Sequence, residues 1–101
     1  MQDNTVSVDH SVFPTKLEFS EQFNVAVPFI DRHLEEGRGD KVVIQVHGGS
    51  GVTYATLAEH VNRAGSAFLN LGITPGDRVL MMVKDAPDFY YVYWGAIKAG
   101  I

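Results

Sequence analysis

The chain has 101 residues, 46% of them hydrophobic and 20% charged, with a formal net charge of −4. That length and balance describe one domain or less of ordinary soluble composition, without the basic footprint that nucleic acid or an anionic membrane surface would require. Cysteine is absent, which excludes a disulfide framework and thiolate chemistry, and no apolar run approaches membrane-spanning length.

The N-terminus, Met1-Gln2-Asp3-Asn4-Thr5, has neither the basic nor the apolar region of a signal peptide. A cytoplasmic location is therefore expected. Residues 1–22 carry scattered Val6, Val8, Val12, Phe13, Leu17 and Phe19 with no helical period. They are expected to form an extended arm, partly docked by its apolar residues and frayed at the start.

Asn24 can cap a helix that runs to Glu36, with Gly37 as its stop. Phe29, Ile30 and Leu34 would be its apolar stripe, and Pro28 near the first turn pushes the true start later. Arg38-Gly39-Asp40 reads as a turn. Val42 to Val46 is β-branched and strand-like. Gly48 to Gly51 is then a loop and Val52-Thr53 a short return strand, which together make a hairpin.

Thr53 can cap the next helix, Tyr54 to Leu71, whose stripe is Leu57, Val61, Ala64, Phe68 and Leu71. A capping box would need Glu or Gln three residues after the cap, and Thr56 stands there instead. Gly72 occupies the left-handed position that ends a helix, with Ile73 as the apolar residue behind it. Thr74-Pro75-Gly76-Asp77 suits a type II turn, because Pro75 fixes φ and Gly76 accepts a positive one. Val79 to Val83 is a short continuous apolar run, as in a strand covered on both faces. Asp85 can cap a last helix with Phe89, Val92, Tyr93, Ala96 and Ile97 on its buried face. Helix, turn, strand, helix is the order of a parallel α/β layer.

Residues that could carry chemistry have plainer readings. Gly48-Gly49-Ser50-Gly51 invites a phosphate loop, but the Lys and Ser or Thr that such a loop needs are missing, so a hairpin turn is preferred. His10, His33, His47 and His60 have no i, i+4 spacing and no cysteine to join them around zinc. Tyr90, Tyr91, Tyr93 and Trp94 could wall an aromatic acyl group, though packing is the preferred role. Lys84 and Lys98 are read as solvated ends of a strand and a helix. No catalytic, cofactor-binding or metal-binding residue is assigned.

Three stretches carry a resemblance: Leu71 to Val79, Asp85-Ala86-Pro87-Asp88-Phe89, and Gly95-Ala96-Ile97-Lys98-Ala99-Gly100. They resemble the N-terminal part of the adenylate-forming enzymes, which include acyl- and aryl-CoA ligases, luciferases and peptide-synthetase adenylation domains. Phe23-Asn24-Val25-Ala26 and Asp31 to Val42 are similar to the start of benzoate-CoA ligases and close aryl-CoA ligases. The resemblance covers Phe23 to Ile101. It implies an α/β fold, the N-terminal fragment of the large domain, in the order helix, β-hairpin, helix, strand, helix. Residues 23–101 would then begin an incomplete AMP-binding domain.

The resemblance also implies a function. The whole enzyme would join an aromatic carboxylate such as benzoate to AMP and pass the acyl group to CoA, using ATP and Mg²⁺. Its phosphate loop, ribose-binding Asp, hinge and catalytic Lys would all lie beyond position 101, so the segment alone is expected to be inactive. Two other readings stay open: an acyl-adenylating enzyme with no CoA step, and a free-standing α/β interaction module. The strand Val79 to Val83 has too few neighbours here to cover its edges, so it should pair with further sequence of its own enzyme or with another copy of the chain.

Overall fold

A computed structural model describes residues 4–101, and its secondary structure follows the expected order with several local differences. Residues 1–3, the start of the expected arm, lie outside the described residues. The rest of the arm is extended backbone folded on itself. Strand β1 (Val6–Asp9) pairs antiparallel with β2 (Lys16–Phe19), with Val6 opposite Phe19 and Val8 opposite Leu17. The period of two puts these four apolar residues on one face and Ser7, Asp9, Lys16 and Glu18 on the other. Phe19 meets Phe23 edge-on at 5.1 Å, which joins the hairpin to the body.

The first helix does run to Glu36, but its opening is a π-helical turn, Val27–Asp31, followed by α1 (Arg32–Glu35). Pro28 sits in the first turn and has no N–H to give, so regular i→i−4 bonding cannot start there. Asn24 caps this start only in part. Its Oδ1 accepts from the Ala26 N–H at 3.0 Å, while its Nδ2 donates to the carbonyls of Ile97 and Lys98 at the end of the last helix. Gly37, at φ +80°, closes the helix with paired bonds from the amides of Gly37 and Arg38 to the Leu34 and His33 carbonyls.

Strands β3 (Val42–Gln45) and β4 (Gly51–Thr53) form the expected hairpin, with a bulge between Val42 and Ile44. Helix α2 (Tyr54–Asn70) is capped by Thr53, whose Oγ1 accepts from the Thr56 N–H at 3.2 Å. Its buried face is Leu57, Ala58, Val61 and Gly65. Leu71 does not continue that stripe: it is the C-cap residue and is 77% exposed. Gly72, at φ +85°, makes the expected left-handed stop, and the Ile73 amide reaches back to the Phe68 carbonyl. The type II turn follows. Asp77 N–H donates to the Thr74 carbonyl at 3.0 Å, and Gly76 has φ +90°. The Asp77 carboxylate accepts from the Thr74 amide and hydroxyl, which hold it below the usual carboxylate range.

Two expectations about the C-terminal part need correction. Val79 to Val83 forms no ladder among the described residues, and Leu80 and Met82 are about 90% exposed. A strand is defined by its partners, and among the described residues no other segment bonds these as a ladder. Asp85 does not cap the last helix, α3 (Pro87–Lys98): Ala86 holds the N-cap position without a side-chain hydrogen bond. Pro87 at the first helical position has no N–H to satisfy, which lowers the demand for a cap.

The core lies where α2 meets the π-helical turn, β4 and α3. Ile30, Val52, Leu57, Ala58 and Val61 form its centre, with Ile44, Tyr91 and Trp94 packed against it. The contact between α2 and α3 is backbone-close. A Cβ added to Gly95 would stand 2.9 Å from the Gly65 nitrogen and 3.0 Å from the Val61 oxygen. The radius of gyration is 15.5 Å, against about 13 Å for a compact domain of this length.

Candidate functional site

An unfilled groove lies along α3, bounded at one end by Phe68 of α2. Phe89, Val92, Ala96 and Ile97 line this groove of about 390 Å³ with Val79 and Met81. These helix residues are the apolar face expected from the spacing, yet within this chain they are only half-buried, and Tyr93 is 47% exposed. The residues that pack inward are Tyr91, Trp94 and Gly95 instead. Helix α3 is thus apolar on two sides, and one side has its complement here.

The end of the chain is positioned at the same groove. Gly100, at φ +80°, closes α3, and the Ile101 amide donates to the Ala96 carbonyl. The Gly76 N–H donates to the Gly100 carbonyl at 2.8 Å. Ile101 therefore leaves the helix beside the turn from which the segment 79–83 sets out.

A second cleft, of about 340 Å³, lies between β3 and the start of α3, lined by Gln45, His47, Asp85 and Tyr90 among others. The glycine loop beside it is a hairpin turn, closed by the Gly49 amide on the Val46 carbonyl, with Gly48 at φ +71°. That geometry is the hairpin turn expected from the sequence.

The four histidines stay apart. His33 stacks on Tyr54 at 4.1 Å, His60 stacks on Tyr91 at 4.4 Å, His47 lines the second cleft, and His10 follows β1. No group of three His, Cys, Asp or Glu side chains converges as for a metal among the described residues. Three of the four aromatics belong to one run of ring contacts, with Trp94 meeting Tyr93 edge-on at 5.8 Å and Tyr90 meeting Phe89 at 5.6 Å, while Tyr91 turns to His60. Trp94 stacks on Phe29 at 5.8 Å and Tyr93 on Phe89 at 6.0 Å. Burial, with the Asp88 charge adding to it, holds the Tyr91 phenol above its usual range.

Lys98 is not a solvated helix end. Its Nζ meets Asp31 Oδ1 at 2.8 Å, and both side chains are about one-quarter exposed. With Asn24 on the Ile97 and Lys98 carbonyls, this pair ties the start of the chain to the C-terminus of α3. Both links join residues more than sixty positions apart, and no local pattern announces them. Among the described residues no helix is long and apolar enough to cross a membrane.

The family described as AMP-binding enzyme matches residues 30–101, and the chain belongs to that family. Among curated relatives, a benzoate–CoA ligase of Thauera aromatica is 46% identical over 99 residues, covering 96% of this chain and 19% of the relative. A 4-hydroxybenzoate–CoA/benzoate–CoA ligase of Rhodopseudomonas palustris is 38% identical over 78% of this chain and 14% of the relative. An acetyl-coenzyme A synthetase of Streptomyces coelicolor is 44% identical over 64% of this chain and 11% of the relative. The chain thus spans about a fifth or less of the length of these relatives. No solved structure matches it.

Proposed function

We propose that this chain is the N-terminal segment of an ATP-dependent aryl-CoA ligase and serves that enzyme as scaffold. The reaction would join benzoate or a hydroxybenzoate to AMP with release of pyrophosphate, then transfer the acyl group to CoA. The observation that carries this reading is the alignment with the benzoate–CoA ligase, which takes in 96% of the chain and so includes the hairpin β1–β2. The acetyl-coenzyme A synthetase of Streptomyces coelicolor aligns over 64%. On this reading residues 1–22 are an arm and 23–101 begin the AMP-binding domain in the cytoplasm.

The groove along α3 supports the scaffold role. Its apolar lining and the segment 79–83, which joins no ladder among the described residues, both call for a covering sheet. Because Ile101 lies beside the turn before that segment, a strand continuing from it would run parallel to 79–83, with α3 as the crossover. The convergent side chains that ATP, Mg²⁺ and CoA require would come from sequence beyond position 101. The segment by itself would then have no catalytic residue, and its open edge favours self-association.

The test is pyrophosphate exchange into ATP, with benzoate, 4-hydroxybenzoate or acetate, on the product of the whole reading frame and on the 101-residue chain. Exchange driven by the aromatic acids in the longer product, and none in the chain alone, is expected. A preference for acetate would remove the aryl assignment. Exchange without thioester formation would favour an adenylating enzyme with no CoA step. Turnover that scales with the concentration of the 101-residue chain would move the active site into it. A stop codon after Ile101 would favour a free-standing module.

A further inference from the structure

We propose that His33 is an acid-sensitive latch between α1 and α2, which holds Arg38 while neutral and releases it when protonated. His33 lies on α1 and is half-buried. Its Nδ1 accepts a hydrogen bond from Arg38 Nε at 3.0 Å. An accepting Nδ1 carries no proton, so the ring must be the neutral Nε2–H tautomer. Its face lies 4.1 Å from the Tyr54 ring, at 21° between planes, on the first residue of α2.

The connection between these helices is built around the same group. The Arg38 amide donates to the His33 carbonyl at 2.7 Å, and the Arg38 guanidinium also pairs with the Glu36 carboxylate. Two backbone bonds then carry the connection to α2, from Ala55 N–H to the Gly39 carbonyl and from Tyr54 N–H to the Lys41 carbonyl. The His33 side chain thus touches both the residue that leaves α1 and the residue that starts α2.

The charges around the ring oppose a proton. Arg32 on α1, with Arg38 and Lys41 in the connection, supplies three cations, and Glu36 is the one carboxylate among them. That carboxylate is already engaged by Arg38. The side toward α2 offers the Tyr54 ring. Protonation removes the acceptor that Arg38 uses and sets imidazolium against guanidinium. Burial first, and then the positive charges of Arg38 and Arg32, hold the imidazole below the usual histidine range. The folded state therefore binds this proton less readily than the unfolded chain, whose histidines titrate near about 6.5. Stability from the latch is complete above that value, falls as the pH drops through it, and levels off below the folded value.

The experiment is a pH titration of histidine side-chain NMR signals in the isotopically labelled chain, folded and in urea. Neutral His33 is expected as the Nε2–H tautomer, with a midpoint below that of the urea-unfolded chain. In Arg38→Met the midpoint should move up toward the unfolded one. An Nδ1–H tautomer, or a folded midpoint at or above the unfolded one, would overturn the proposal. So would an unchanged midpoint in Arg38→Met. Should that variant not fold, the tautomer and midpoint of the unaltered chain still decide.

Discussion

Two sides of α3 show what this chain can and cannot supply for itself. On one side Gly95 lets the helix come within backbone contact of α2, while Tyr91 and Trp94 pack on the core. On the other side Phe89, Val92, Ala96 and Ile97 have comparable apolar character but meet an open groove and a segment without strand partners. The difference is not in hydrophobicity. It lies in whether the complementary surface is within reach along these residues. Burial stabilises only where water is displaced by a matching surface, so the same kind of residue carries little on one side and much on the other.

Substitutions on the two sides should separate accordingly. Gly95→Val should have the largest effect, a loss of about 3 kcal/mol at the upper end of overpacking. Its Cβ would lie 2.7 Å from the Ala64 Cβ and within 3.0 Å of backbone atoms that cannot turn aside. Urea unfolding measures it, and a loss no greater than that of an exposed substitution would mean the helices do not approach this closely. Gly72→Val, at the end of α2 where a Cβ meets nothing within 4 Å, should cost about 1–2 kcal/mol. That loss is conformational, from forcing a β-branched residue to positive φ, so Gly72→Asn should recover part of it. Phe89→Ala, on the open side, should cost less than about 1 kcal/mol in this chain and about 3–5 kcal/mol once the groove is covered in a longer product. Equal losses in both contexts would mean the groove is not an interface.

Much of the architecture was legible in local patterns. Gly72 and Gly76 were expected at positive φ and have it, because a helix end and a type II turn each require a backbone that side chains disfavour. Thr53 caps α2 without the usual Glu or Gln, since the hydroxyl alone reaches the Thr56 amide. The cap of α3 was misplaced by one residue, from Asp85 to Ala86, because Pro87 already satisfies the first position. The hairpin β1–β2 was legible only as extended residues, for each strand is four residues long and the pairing of Val6 with Phe19 and Val8 with Leu17 is set across the intervening loop. In the candidate site the apolar face of α3 was legible, whereas the division of labour between its two sides was not.

What the sequence determined alone are features of short range: where helices stop, which turns form, and which residues are apolar at helical spacing. Steric limits on φ and the reach of a capping hydroxyl act over a few residues, so they can be read from neighbours in the chain. The tertiary structure decided the rest. It chose Tyr91, Trp94 and Gly95 as the inward side of α3, joined Asn24 to Ile97 and Lys98, and paired Asp31 with Lys98. It also left Val79 to Val83 outside any strand ladder among the described residues. These outcomes depend on which surfaces meet across sixty or more residues, and hydrogen-bond partners and packing complements at that distance are properties of the fold rather than of any stretch within it.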